Sequence, residues 1–400
     1  MRVLHTSDWH IGKQLHKEDL NQEIALFFDW LLKTIEKEQI DVLLVSGDIF
    51  DQANPSQASL KMYYGFLVAV RGLCKVILTG GNHDSAAVLN APKDLLQTMD
   101  ITVIGGAVKN KIDLFVPVKV GEEELVVAAV PFLKDRDIRA SVAGESYSDK
   151  ITQIKTGLHR YFEQVNKVYT ENYKGIPFIV MGHLYIHGAA VSESERDIQI
   201  GNQAGIEASI FQGVPDYVAL GHIHKPYKVA SESNVHYCGS PVSLSFSEKE
   251  DIKQINIVDI CKENVTTTIV KVPKFRDVLL FEGTLDTVAQ KLEQYTKTQD
   301  LPALVEVQVT EPQETLSSFE QFQQRIQEYE SPDLKVLKSK LQFETMQGGS
   351  TAIVDTFSDL EDLKPLELFQ KKLDLDLQLE GAEKEEFTNA FRELLQDLNL

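Results

Sequence analysis

Five short apolar runs, most rich in β-branched residues, each give way to a cluster of Asp, Asn or His. Val3-Leu4 precedes Asp8-Trp9-His10, and residues 42–45 precede Gly47-Asp48-Ile49-Phe50-Asp51. Residues 76–78 precede Gly81-Asn82-His83-Asp84, residues 178–180 precede Gly182-His183, and residues 218–220 precede Gly221-His222-Ile223-His224. Short apolar runs bounded by turn residues read as buried strands. Helical patterns over about 22–37 and 57–72 separate the first three, and strand–helix alternation predicts a parallel α/β sheet. Functional groups in such sheets gather at the carboxyl ends of the strands, so one edge of the fold is expected to collect all five motifs.

Beyond residue 101 the strand-like runs crowd together, interrupted by a helical pattern over 151–169, which predicts a second and more antiparallel sheet packed on the first. A boundary is expected at Val272-Pro273, giving a first domain of 1–272. Residues 273–345 read as a small βαβαβ unit, and Gln347-Gly348-Gly349-Ser350 as a joint. The acidic, leucine-rich segment 350–400 follows, with helical spacing at Phe387, Phe391, Leu394, Leu395 and Leu398. So short a segment cannot bury its own leucines, and a partner's groove is the expected cover.

The 400 residues carry 40 Lys+Arg against 60 Asp+Glu, a net −20 that argues against a broad basic nucleic-acid surface. The acidity is uneven, however. Residues 271–400 hold −12 of it, and residues 351–400 alone hold −8. Cys74, Cys238 and Cys261 are widely spaced without a C-x-x-C pair, so they read as buried hydrophobes rather than a disulfide frame or a zinc knuckle. No uncharged apolar stretch approaches the ~20 residues of a membrane span, and the N-terminus lacks the pattern of a secretory leader, so a cytoplasmic protein is expected.

The motif residues suit divalent cations. Asp8, His10, Asp48, Asn82, His183, His222 and His224 mix imidazole nitrogen with carboxylate or amide oxygen and include no thiolate, the donor set of Mn²⁺, Fe²⁺ or Zn²⁺ pairs. In Asp-x-His and His-x-His both side chains fall on one face of an extended strand end. Taken singly each motif is more often an ordinary turn; five of ten histidines placed just past strand-like runs outweigh that reading. His5, His16, His159, His187 and His236 keep structural roles, with His16 near enough the first motif to touch a substrate.

The ordered series D-x-H, G-D-x-x-D, G-N-H-D, G-H, G-H-x-H resembles the calcineurin-like metallophosphoesterase superfamily. His5-Thr6-Ser7-Asp8-Trp9-His10-Ile11-Gly12, residues 46–51 and Tyr237-Cys238-Gly239-Ser240-Pro241 are similar to its SbcD family of bacterial exonuclease subunits, relatives of the double-strand-break-repair nucleases. The resemblance implies a four-layer α/β/β/α sandwich, a small α/β capping domain and a C-terminal helical segment that binds SbcC, an SMC-like ABC ATPase. It also implies a homodimer, to which the helix around Met62, Tyr63, Tyr64, Phe66, Leu67 and Val70 is a candidate contributor.

By the same resemblance, Asp8, His10 and His224 hold one ion, Asn82, His183 and His222 the other, Asp48 bridges, and Mn²⁺ is the expected metal. Two such ions ~3.5–4 Å apart clamp a phosphodiester and activate water. His83 would then donate to the leaving oxygen and Asp84 would orient it, with Asp51 tuning the site. Lys13, His16 and Lys17 are the expected DNA contacts, with Arg136, Arg139 and Lys225 as further candidates. The implied activity is cleavage of double-stranded DNA ends and of single-stranded or hairpin structures in DNA repair. A phosphatase or cyclic-nucleotide phosphodiesterase is the alternative, and a metal-free scaffold a more distant one. Phosphatases of this type follow G-D-x-x-D with Arg-Gly, whereas Asp51 is followed by Gln52-Ala53.

Overall fold

A computed structural model describes residues 1–139, 145–186, 195, 206–229, 234–261, 264–312, 316–343, 353–354, 366, 369–370, 373 and 381–398. The chain divides into two units, Met1–Gln14 with Asp19–Pro273, and Leu15–Glu18 with Lys274–Leu400.

The first unit contains two six-stranded sheets. One runs Asn264–Lys271, Gln254–Cys261, Arg2–Thr6, Val42–Ser46, Lys75–Thr79, Ile101–Ile104, with the last four parallel. The other runs Tyr227–Lys228, Val235–Tyr237, Tyr217–Gly221, Phe178–His183, Glu123–Ala129, Phe115–Val120. Its four central strands are also parallel, so the second sheet is not the more antiparallel one that strand spacing predicts. The helix Tyr147–Asn172 makes the difference. Its 26 residues lie between the neighbouring strands Glu123–Ala129 and Phe178–His183 and give the chain the long return that parallel pairing needs.

Burial explains the layering. Val3, Val42, Leu44 and Ile77 from the first sheet share one core with Val126, Val180, Val218 and Leu220 of the second, and with Ile154, Leu158, Phe162 and Val165 of the long helix. The opposite side of the first sheet is covered by helices Asn21–Glu38 and Gln57–Val70, where Trp9 packs edge-on against Phe27, Phe28 and Phe66. This is the α/β/β/α order. Tyr63, Phe66, Leu67 and Val70 are spent in that core, so of the expected dimer helix only Met62 and Tyr64 keep partial exposure, beside Val68 at 60%. Cys238 is buried as expected, Cys74 is intermediate, and Cys261 at a strand end is exposed.

In the second unit, strands Val278–Gly283, Ala303–Glu311 and Leu334–Phe343 pair in parallel, with Ile353–Val354 antiparallel at the edge. Helix Leu285–Gln294 and the helical stretch Leu316–Gln327, which ends in a π turn, pack Leu285, Val288, Leu292, Phe322 and Ile326 onto Val305, Val307 and Val309. Helix Gly381–Leu398 leaves Phe387 and Leu394 about half exposed. The expected joint at 347–350, and most of the expected partner-binding segment before helix Gly381–Leu398, lie outside the described residues. No described helix is long and apolar enough to cross a membrane.

Candidate metal centre

All five motifs sit at the carboxyl ends of parallel strands: Arg2–Thr6, Val42–Ser46, Lys75–Thr79, Phe178–His183 and Tyr217–Gly221. The sheets are stitched at that edge by Ser46, whose Oγ donates to the Ala219 carbonyl (3.0 Å) and whose carbonyl lies 3.0 Å from His183 Nδ1. Among the described residues, three groups offer donor atoms close enough for one ion: Asp8, His10 and His224; Asp8, Asp48 and His183; His10, Asp48 and His83. Every member is buried. Asn82 Oδ1 lies 2.9 Å from His183 Nε2, so the amide joins the cluster.

The backbone there is strained. Asp8 (φ 52°), His10 (46°), Asp48 (47°) and His222 (99°) all occupy the left-handed region that L-residues avoid. Their neighbours leave no slack. A Cβ on Gly47, itself at φ 83°, would sit 2.2 Å from His183 Nδ1, and one on Gly81 would sit 2.1 Å from Asp48 Oδ1.

Electrostatics favour cations. His10 Nδ1 faces Asp51 Oδ1 at 3.2 Å, and His224 Nδ1 faces Glu248 Oε1 at 3.4 Å. With both Nδ1 atoms turned to carboxylates, the two Nε2 atoms meet 3.1 Å apart, an approach that a shared proton or cation relieves. His222 Nε2 is buried without a hydrogen bond, and burial holds this ring neutral with its pKa well below the usual value. Burial opposes charge on His183 too, but Asp48 and Asp8 lift it to about 9. Burial raises Asp8, whereas Asp48, against the same desolvation, is held well below the carboxylate range by His183 and His83. These residues fit divalent ions: the nitrogen and oxygen atoms converge, the orphaned imidazole nitrogen is neutral, and a Cβ would fill the cradle.

The remaining expected residues take distinct places. His83 Nδ1 donates to the Asp51 carbonyl (2.8 Å), while the ring stands edge-on to His10 at 4.7 Å. Asp84 binds backbone groups of two motifs. Its carboxylate accepts from the backbone N–H groups of Ile49 (3.0 Å), Phe50 (2.9 Å) and Gly81 (2.8 Å), locking the second motif's loop to the third; burial and Asp48 push its pKa up to about 6. Asp51 resists desolvation through His10 and Lys13 and is held far below the carboxylate range, with Lys13 Nζ at 3.3 Å. His16 and Lys17 lie in a turn with positive φ, and Arg136 and Arg139 lie at the short helix Asp135–Ile138, where Arg139 is tied to Glu145 (2.5 Å). Lys225 pairs with Asp251 (3.3 Å). His5, which keeps a structural role in the sequence, is fully buried with Nδ1 3.0 Å from the Tyr217 hydroxyl, and His187 lies outside the described residues.

Sequence reasoning missed Glu248, Lys253 and Glu195. Glu195 Oε1 accepts the His224 backbone N–H at 2.7 Å. None carries a metal-ligand spacing; the available signal was an acid and a lysine following Gly239-Ser240 on the approach to a strand.

A family profile described as calcineurin-like phosphoesterase matches residues 1–226, more than half of the chain. The chain belongs to the calcineurin-like phosphoesterase family. A second profile, SbcD_C, described as type 5 capsule protein repressor C-terminal domain, matches residues 274–376 of this phosphoesterase. It is 30% identical over 407 aligned residues to the SbcD component of the nuclease SbcCD of Escherichia coli K12, covering all of this chain and 98% of that protein. The SbcD component of the Bacillus subtilis nuclease SbcCD is 31% identical over 265 residues, 65% of this phosphoesterase and 66% of that protein. A dimetal phosphatase from Danio rerio superposes with a TM-score of 0.45 and 13% identity over 68% of this phosphoesterase and 97% of that chain, too loose a likeness to add to the assignment.

Proposed function

We propose that this chain is the nuclease component of an SbcC–SbcD-type DNA repair complex, a metal-dependent phosphodiester hydrolase that cuts double-stranded ends and single-stranded or hairpin DNA. The observation that carries the reading is the facing pair of His10 and His224 Nε2 atoms inside a buried Asp/His cluster, in a chain similar over its whole length to a nuclease component. In this reading Asp8, His10 and His224 would hold one ion, Asn82, His183 and His222 the second, and Asp48 would serve both. Such ions supply Lewis-acid polarisation of the phosphodiester and a nucleophile from water at neutral pH; manganese is the proposed metal.

The chain's own residues do the rest. Asp84 fixes the loop bearing Asp48, and Asp51 orients His10. With Nδ1 tied to the Asp51 carbonyl, His83 presents Nε2 to hand a proton to the departing sugar oxygen. Lys13, His16 and Lys17 contact the DNA backbone without regard to sequence, so binding weakens with salt. Residues 1–272 form the nuclease domain, 273–345 the cap, and 350–400 the segment that docks on the ATPase, a role favoured by exposed Phe387 and Leu394. A second copy pairs through the outward side of helix Gln57–Val70, where Tyr64 and Val68 remain accessible.

A phosphatase reading lacks its arginine at Gln52. The test is hydrolysis by the full chain with its ATPase partner and manganese. Cleavage of linear and hairpin DNA is expected; hydrolysis of phosphomonoesters alone, with both DNAs intact, overturns the reading.

A further inference from the structure

The motif Tyr237-Cys238-Gly239-Ser240-Pro241 supplies no donor to the three candidate ion-binding groups, yet it sits against one of their members. Ser240 N–H donates to the His224 carbonyl at 3.1 Å, and Gly239 stands at φ 79° where a Cβ would lie 2.5 Å from that same oxygen. Behind it is a buried ion pair that nothing in the proposed chemistry uses. Glu248, fully buried, directs Oε1 to His224 Nδ1 at 3.4 Å and Oε2 to Lys253 Nζ at 2.5 Å. Lys253, also buried, donates further to Ser240 Oγ (2.9 Å) and to the His224 carbonyl (3.3 Å). The Leu244 N–H donates to Glu248 Oε2 at 3.1 Å.

This arrangement is costly as mere packing. Two charges removed from water are seldom better for stability than an apolar pair of the same volume. A carboxylate behind the far nitrogen of an imidazole, by contrast, fixes the tautomer, orients the ring and makes the other nitrogen a stronger donor. Glu248 stands in that relation to His224, as Asp51 does to His10, whereas His183 Nδ1 lies nearest the Ser46 carbonyl at 3.0 Å, with Asp8 Oδ1 farther off at 4.0 Å.

We propose that Glu248, clamped by Lys253 and the Gly239-Ser240 turn, is a positioning residue that holds His224 with Nε2 aimed into the cluster and thereby sets the affinity for the divalent ion shared by Asp8, His10 and His224. The inference rests on His224 being a ligand, as proposed above, and its test separates the two ideas.

The experiment is Mn²⁺ titration of the full metal-stripped chain by calorimetry, followed by electron paramagnetic resonance. His224→Ala is the reference and is expected to remove one of two binding events. Glu248→Gln is expected to weaken that same event about 10–100-fold while the other is unchanged, and to shift the resonance of the bound ion. Because Glu248→Gln leaves Lys253 buried without its partner and can lose stability, the double variant Glu248→Gln with Lys253→Met removes both charges. It is expected to melt, metal-free, no lower than the wild type and still to bind that ion about 10–100-fold more weakly. If the double variant regains wild-type affinity along with its stability, or if Glu248→Gln titrates like the wild type while His224→Ala loses an event, the positioning role is wrong. If His224→Ala keeps both events, the assignment of His224 as a ligand fails instead.

Discussion

His10 and His224 point their Nε2 atoms at each other across 3.1 Å, each ring backed at Nδ1 by a carboxylate, Asp51 or Glu248. Two neutral imidazoles so oriented repel unless a proton or a cation lies between their lone pairs. The pair is therefore a measure of the whole site: whatever loosens either carboxylate changes what the nitrogens can hold.

Asp51→Asn tests this on the His10 side. The amide keeps the shape but loses the charge that faces His10 and Lys13. Weaker Mn²⁺ binding by about 10–100-fold is expected, with little change in secondary structure by circular dichroism. Unchanged binding would show that the His10 backing is incidental.

His83 and Asp48 divide differently. His83→Ala should keep both bound ions, because the proposed ligand sets are complete without it, yet lose about 10²–10⁴-fold in cleavage rate; loss of an ion would instead make its Nε2 a ligand beside His10 and Asp48. Asp48→Ala should lose bound metal. Metal content by plasma emission beside single-turnover cleavage decides it, and equal metal loss in both variants contradicts the division.

Gly47→Ala is expected to destabilise the fold by more than about 2 kcal/mol and to eliminate metal binding, since the methyl group meets His183 Nδ1 and the backbone is left-handed there. Urea unfolding with calorimetric titration reads both effects. Gly65→Ala, where the methyl meets nothing, is the control and should be neutral or stabilising.

The acid limb of stability should carry the signature of His5. Burial and His236 lower its pKa to about 3 from 6.5, so the folded state keeps the ring neutral while the unfolded chain protonates it. The contribution is complete above pH 6.5 and is lost as pH falls towards 3. Between about pH 7 and pH 5 the metal-stripped protein should lose about 2 kcal/mol from this group, read from urea midpoints. His5→Gln should flatten that slope; an unaltered slope would place the acid sensitivity elsewhere.

Truncation after Gly348 should leave Mn²⁺ binding intact and abolish co-purification with the ATPase partner. A truncated chain that still co-purifies would refute the docking role of residues 350–400.

What the sequence made legible follows from range. The seven candidate ligands announced themselves because Asp-x-His, Gly-Asp-x-x-Asp, Gly-Asn-His-Asp, Gly-His and Gly-His-x-His are local patterns that recur together at strand ends. Strand direction in the second sheet was not local: it depended on how far the helix Tyr147–Asn172 carries the chain before Phe178 pairs with Val126. Beside the expected link from Asp84 to the adjacent His83, nothing local announced that its carboxylate spans to Phe50 and Ile49, 34 and 35 residues away. Glu248 reaches His224 across 24 residues and a turn, with no spacing rule to reveal it. Contacts made through space between distant segments leave no period in the sequence.

The left-handed backbone at Asp8, His10, Asp48 and His222 has an evolutionary consequence. At each position glycine, or at some asparagine, relieves torsional strain that the present residue must bear. At Asp8 and Asp48 that relief is offset, because their carboxylates accept the buried N–H groups of His222 and His83; at His10 and His222 no such N–H is lost. A lineage freed from the need to cut, but still required to remain folded, would drift first at His10 and His222 and leave an intact sandwich with a silent centre.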